Sequence, residues 1–91
     1  MGFVREPAVS GMFYPDDPGA LKKDIERYFR NADAPPVPGE VTGIIAPHAG
    51  YMYSGQVAAY GFKAILNKSF DTVIVLAPSH RIHFEGVAVI E

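Results

Sequence analysis

A segment early in the chain has the amphipathic pattern of a helix. Between positions 18 and 31 the apolar residues recur every three to four positions, while charged residues occupy most of the others: the apolar set is Leu21, Ile25, Tyr28 and Phe29. Asp17 followed by Pro18 favours a helix start, because an Asp side chain can accept a free amide hydrogen bond and Pro suits the first helical position. We therefore predict a helix from 18 to about 31.

Two later runs, 41–46 and 72–77, are apolar without alternation. This pattern is typical of strands that are covered on both faces. Between them, Ser54 is a plausible helix cap for a stripe of small and apolar residues that could approach a sheet closely: Val57, Ala58, Gly61, Ala64 and Ile65. The pattern predicts a βαβ unit with parallel strands and a right-handed crossover.

A last apolar run, 87–90, follows too closely on the second strand for another parallel crossover. Two or three strands that are buried on both faces need further strands and a second helical layer. We therefore expect an α/β fold of which residues 1–91 are only the amino-terminal part.

Composition narrows the class of protein. The chain is 48% hydrophobic and 20% charged, which is an ordinary globular balance. Its net charge of −2 and its lack of a Lys or Arg run argue against nucleic acid and anionic membranes as partners. The opening residues lack a secretory pattern and no run is long enough to span a bilayer, so we expect a cytoplasmic protein. With no cysteine in these residues, a metal here must be held by His, carboxylate or backbone oxygen.

The histidines follow the two predicted parallel strands. His48 stands in Ala-Pro-His and His80 in Ala-Pro-Ser-His, so each follows a strand and a proline. Ligands of open α/β sheets bind outside the carboxyl ends of the strands, where both imidazoles would lie. We therefore predict that His48 and His80 bind one metal ion. His83 is a weaker candidate, because a His-x-x-His spacing in a loop is common by chance.

Other residues near these loops are candidates for a pocket. Tyr51 and Tyr53 would line the mouth of the site or merely cover the sheet edge, and Phe13 would serve packing first and a pocket wall second. Ser79 beside His80 does not indicate a serine hydrolase, because adjacent loop residues diverge and no nucleophile elbow is present. We keep Ser79 and His83 as pocket candidates.

The turn from Gly50 to Gly55 leads into the predicted second helix. The free amides at such a helix start could hold an anion, but a tight turn with a capped helix is the better explanation of the sequence. No Walker lysine and no Gly-x-Gly-x-x-Gly run is present, which argues against nucleotide binding.

Three stretches together resemble the Memo family, also named AmmeMemoRadiSam system protein B. They are the opening 5–15, the His48 segment 45–55 and the His80 segment 76–80. The resemblance implies a fold similar to class III extradiol dioxygenases, with a mixed sheet between helices, in a single domain of which residues 1–91 form the amino-terminal part. It also implies association with a radical-SAM protein.

The resemblance assigns roles to several positions. The family's counterparts of His48 and His80 are metal ligands, and a cysteine from a much later segment completes the set, with a further Asp and His close by. The dioxygenase relatives hold ferrous iron with two His and a carboxylate, and a thiolate in place of the carboxylate favours softer metals. Iron is therefore the first expectation, with copper or zinc as alternatives.

Two classes of function follow. The first is a metal-dependent redox enzyme, similar to a dioxygenase, with an unknown substrate. The second is a non-catalytic pocket that binds a modified peptide or a small anion, since the counterparts of Tyr53 and Phe13 line a pocket that in the animal relative is linked to phosphotyrosine peptides. This sequence has Phe13 where that relative has Trp, which counts against the peptide role.

Overall fold

The computed structural model describes residues 2–89. It contains helix α1 (Pro18–Asn31), a π-helical turn (Tyr51–Gly55) and helix α2 (Gln56–Lys63), which continues directly from that turn. The two helices pack against each other, and Ala59 of α2 is buried with 5% of its surface exposed.

Helix α1 confirms the predicted helix and its predicted start. Asp17 has extended backbone angles, and its Oδ2 accepts a hydrogen bond of 2.8 Å from the amide of Ala20, while Pro18 occupies the first helical position. The apolar stripe is half-buried, whereas most charged residues of the helix are exposed. The helix ends at Asn31, and the following Ala32 is fully buried with its amide donating to the carbonyl of Phe29.

Helix α2 begins differently from the prediction. Ser54 is not its cap: it lies inside the π-helical turn, and no side chain caps α2. The amide of Ser54 already donates to the carbonyl of Gly50 at 3.0 Å, so the chain is helical before α2 starts and a side-chain cap has no role there. After α2 the chain turns on to Asn67, whose φ of 67° is the left-handed conformation that Asn tolerates and that ends helices.

Polar side chains of α2 donate hydrogen bonds to the carbonyl end of α1. The last carbonyls of a helix have no partner within it, and a positive charge there also complements the helix dipole. Gln56, Tyr60 and Lys63 lie on one face of α2 at i, i+4 and i+7. The bonds are Gln56 Nε2 to Tyr28 O (2.9 Å), Tyr60 OH to Asn31 O (3.4 Å), and Lys63 Nζ to Phe29 O (3.0 Å) and Ala32 O (2.7 Å).

The predicted strands 41–46 and 72–77 have no hydrogen-bonded neighbour within residues 2–89, where the recorded β-bridge joins Ser10 and Tyr14. In the second run, the side chains from Val73 to Leu76 are between 72% and 84% exposed. The third predicted run, 87–90, lies partly outside the described residues. A parallel sheet therefore stays a prediction.

None of the helices within residues 2–89 has the length and apolar character that crossing a membrane requires.

Candidate functional site

His48 and His80 meet side by side although 32 positions separate them in the chain. Their Nε2 atoms are 3.0 Å apart, and their ring centroids lie 5.2 Å apart with an angle of 34° between the ring planes. At this distance one imidazole donates a hydrogen bond to the other when only one of the two nitrogens carries a proton. Both side chains are exposed, so a ligand can reach the two nitrogens from solvent.

Hydrogen bonds with Ser54, Phe13 and Tyr28 hold the backbone that follows His48. Ser54, which is buried, donates its hydroxyl to the carbonyl of Ala49 at 2.9 Å. Tyr51 donates its amide to the carbonyl of Phe13 at 2.7 Å, and its own carbonyl accepts the hydroxyl of Tyr28 at 3.1 Å. The loop that carries His48 is therefore attached to the amino-terminal segment and to α1.

The segment around Phe13 is itself a compact turn. The amides of Met12 and Phe13 both donate to the carbonyl of Val9, and Gly11 donates its amide to the carbonyl of Tyr14. Gly11 has a φ of +81°, a conformation that strongly favours glycine. This geometry presents the Phe13 carbonyl to the amide of Tyr51.

A cavity of about 450 Å³ lies between this turn, α1 and α2, with His48 at its border. Three tyrosines meet in it: the ring centroid of Tyr51 is 5.6 Å from that of Tyr14 and 6.4 Å from that of Tyr28. Phe13 and Tyr51, two of the predicted pocket residues, line this cavity together with His48. Its wall is mostly apolar, which suits an apolar or aromatic group.

The remaining predicted pocket residues lie elsewhere. Tyr53 is 83% exposed and does not line this cavity. Ser79 and His83 line a second cavity of about 390 Å³ beside His80, formed by the loop 79–84. Ser79 donates its hydroxyl to the carbonyl of Ile82, and the exposed His83 lies 3.5 Å from the carboxylate of Glu85. His83 is thus turned to a neighbour in its own loop.

The pattern of the sequence did not single out Tyr28 or Ser54 as part of the site. The pattern places Tyr28 in the apolar stripe of α1 and predicts Ser54 as a helix cap. The signal that could have identified Tyr28 is its hydroxyl, because a tyrosine on the apolar face of a helix needs a hydrogen-bond partner for that group. Its partner, the carbonyl of Tyr51, is 23 positions away.

The donor set at the histidine pair consists of two imidazoles. Within residues 2–89, no further His, Asp or Glu joins them to form a cluster of three. Metals that accept imidazole include zinc, copper and iron, and each needs additional ligands.

Comparison with known proteins identifies the family. Residues 5–91 match the family model described as Memo-like protein. The chain is 45% identical over 85 residues to a MEMO1 family protein of Desulfurococcus amylolyticus, covering 84% of this chain and 30% of that protein. It is 39% identical over 95 residues to a MEMO1 family protein of Methanothermobacter thermautotrophicus, covering 97% of this chain and 34% of that protein. The chain therefore belongs to the Memo-like family.

The chain spans about a third of the length of these curated relatives. No solved structure matches it significantly.

Proposed function

We propose that the protein binds a metal ion through His48 and His80 and acts as a metal-dependent redox protein. Iron is the first candidate, and copper and zinc are the alternatives. The observation that carries the proposal is the 3.0 Å distance between the two Nε2 atoms. Metal–nitrogen bonds measure about 2.0–2.1 Å, so two nitrogens at this separation fall within the span of a single ion.

The chemistry of the donors also fits. Neutral imidazole is the commonest protein ligand for these metals, and both nitrogens are open to solvent. A bound iron or copper would supply Lewis acidity and one-electron chemistry. The chain's own contribution is to hold His48 by its backbone and to offer an apolar cavity beside it, where an organic group is shielded from water.

The test is metal analysis of the complete protein, purified without added metal. His48→Ala and His80→Ala should each weaken metal binding by more than about 100-fold, beyond the loss expected for a residue outside the coordination sphere. His83→Ala is the matched control, since it removes an imidazole three positions from His80 that contacts Glu85 instead. Equal metal content in wild type and the first two variants would refute the site.

The redox part of the proposal has a separate test. Ferrous protein supplied with a suitable phenolic substrate should consume oxygen, and His48→Ala should abolish turnover without unfolding the protein. If the protein retains its metal but shows no metal-dependent turnover, the redox activity is refuted and only metal binding remains.

A second candidate is a recognition pocket for a modified peptide or a small anion in a partner protein. The observation in its favour is the cavity of about 450 Å³ with its cluster of tyrosines. Tyr51→Ala should then weaken partner binding while metal content stays constant, because an aromatic wall contributes contact area and not coordination. Tyr53→Ala is the comparison, because the family resemblance assigns the pocket role to Tyr53 whereas the cavity is lined by Tyr51. The variant that loses partner binding shows which of the two tyrosines lines the binding pocket. A radical-SAM protein is the partner to assay first.

A further inference from the structure

Tyr28 of α1 contacts the π-helical turn from outside that turn. Its hydroxyl donates to the carbonyl of Tyr51 at 3.1 Å, and its carbonyl accepts the side-chain amide of Gln56 at 2.9 Å. Its ring lies against Gly55, where an added Cβ atom would be 2.8 Å from Cε2 of the ring. Tyr28 therefore touches both the beginning and the end of the turn.

Gly55 accommodates this ring. Its φ of −59° and ψ of −43° are ordinary helical angles that any residue can adopt, so the backbone does not require glycine there. A Cβ atom at 2.8 Å from the ring would force one of the two groups to move. The missing side chain of Gly55 and the ring of Tyr28 thus form a complementary pair that sets the distance between α1 and the turn.

The π-helical turn is also hydrogen-bonded to Ala49, the residue that follows His48. Ser54 donates its hydroxyl to the carbonyl of Ala49 and its amide to the carbonyl of Gly50. The imidazole of His48 is exposed, so few neighbours restrict it directly. The hydrogen bonds of Ala49, Gly50 and Tyr51 hold the backbone on its carboxyl side.

We propose that Tyr28 is a positioning residue for His48. By holding the π-helical turn against α1, it sets the backbone from Ala49 to Tyr51 and thereby places Nε2 of His48 beside Nε2 of His80. Tyr28 itself is no ligand, and the proposed positioning does not require a bound ion. Only the consequence for metal affinity rests on the proposed function.

A pair of tyrosine variants of the complete protein tests this role. Tyr28→Phe keeps the ring beside Gly55 and removes only the hydroxyl that reaches Tyr51. Tyr60→Phe is the matched control, because it removes a hydroxyl that also donates to a backbone carbonyl, that of Asn31, away from the His48 loop. Both changes delete one side-chain hydrogen bond, and the longer, exposed bond of Tyr60 (3.4 Å) should contribute less stability than the half-buried bond of Tyr28 (3.1 Å).

The first readout is metal-free NMR of the imidazole nitrogens. Tyr28→Phe should shift the ring nitrogen resonances of His48 and His80, since their mutual hydrogen bond depends on the distance between them, while Tyr60→Phe should leave them unchanged. The second readout is Cu²⁺ binding with electron paramagnetic resonance: Tyr28→Phe should weaken binding about 10-fold and alter the spectrum, and Tyr60→Phe should do neither.

The outcomes separate this inference from the proposed function. Identical nitrogen resonances in the two variants would overturn the positioning role. If Tyr28→Phe shifts the histidine resonances but wild-type protein binds no Cu²⁺, Fe²⁺ or Zn²⁺, the positioning role stands and the proposed metal function falls.

Discussion

Helices α1 and α2 differ from residues 69–89 in where their backbone groups find hydrogen-bond partners. Within a helix, each amide after the first turn bonds to a carbonyl four residues earlier, so most partners are present in the same segment. Residues 69–89 are exposed throughout, and within residues 2–89 they have no strand beside them. Their apolar side chains from Val73 to Leu76 nevertheless match a strand that is covered on both faces.

The comparison shows what each kind of element needs from the rest of the chain. A helix forms most of its backbone hydrogen bonds within its own segment and needs packing on one face. A strand needs a neighbour on its edge and cover on its faces. The candidate site joins the two regions: His48 lies on a loop held by α1 and the π-helical turn, and His80 lies in the exposed region.

The largest expected difference concerns backbone protection. In the isolated 91-residue chain, amides of 72–77 should exchange with solvent almost unprotected, and heating should produce no sharp cooperative transition. In a protein of the length of its curated relatives, we expect the same amides to be protected about 100-fold or more, because the predicted strands would pair there. Hydrogen exchange with mass spectrometry measures both, and equal protection in the two samples, or a sharp two-state melt of the isolated chain, would contradict the expectation.

A pair of glycine variants addresses the helical region. Gly55→Ala should lower the free energy of unfolding of the complete protein by about 1–3 kcal/mol, because its Cβ meets the ring of Tyr28. Gly61→Ala should change it by less than about 1 kcal/mol, since alanine favours the helix and the nearest described atom, Cδ1 of Ile44, is 4.0 Å away. Urea unfolding gives both values, and a Gly55→Ala variant as stable as wild type would contradict the steric effect of the Tyr28 ring.

The carbonyl end of α1 provides a third test. Lys63→Met should cost about 1–2 kcal/mol of stability, because the carbonyls of Phe29 and Ala32 at the end of α1 lose a charged donor while the aliphatic stem is kept. Lys22→Met is the control, with an expected loss of a few tenths of a kcal/mol. Its ion pair with Glu26 spans 3.9 Å on the exposed face of α1. Similar losses in the two variants would show that Lys63 contributes only as a surface charge.

The smallest expected effect is at the start of α1. Asp17→Ala should cost about 1 kcal/mol, since the amide of Ala20 loses its side-chain acceptor. Asp17→Asn retains an oxygen in the same place and should stay within a few tenths of a kcal/mol of wild type. Thermal melts of the two variants measure the difference, and an Asn variant as unstable as the Ala variant would point to charge instead of capping.

Helix α1, its cap at Asp17 and the pairing of His48 with His80 as candidate residues were all available from the sequence. The physical reason is locality: a cap, a proline at the first helical position and a 3.6-residue stripe act within a few positions of one another. The sequence identified His48 and His80 because each follows a predicted strand and an Ala-Pro pair. The parallel sheet derived from the same pattern stays a prediction, because the runs 41–46 and 72–77 form no ladder within residues 2–89.

Only the tertiary structure decided how the site is held. Ser54 was wrongly predicted as a cap, because the chain becomes helical before α2 and its hydroxyl turns back to Ala49. The contacts of Tyr28 with Tyr51 and of Lys63 with Ala32 join positions 23 and 31 residues apart. No local pattern encodes such contacts, because they depend on how two helices and a turn pack in space, and a half-buried hydroxyl or amine takes whichever carbonyl that packing brings within reach.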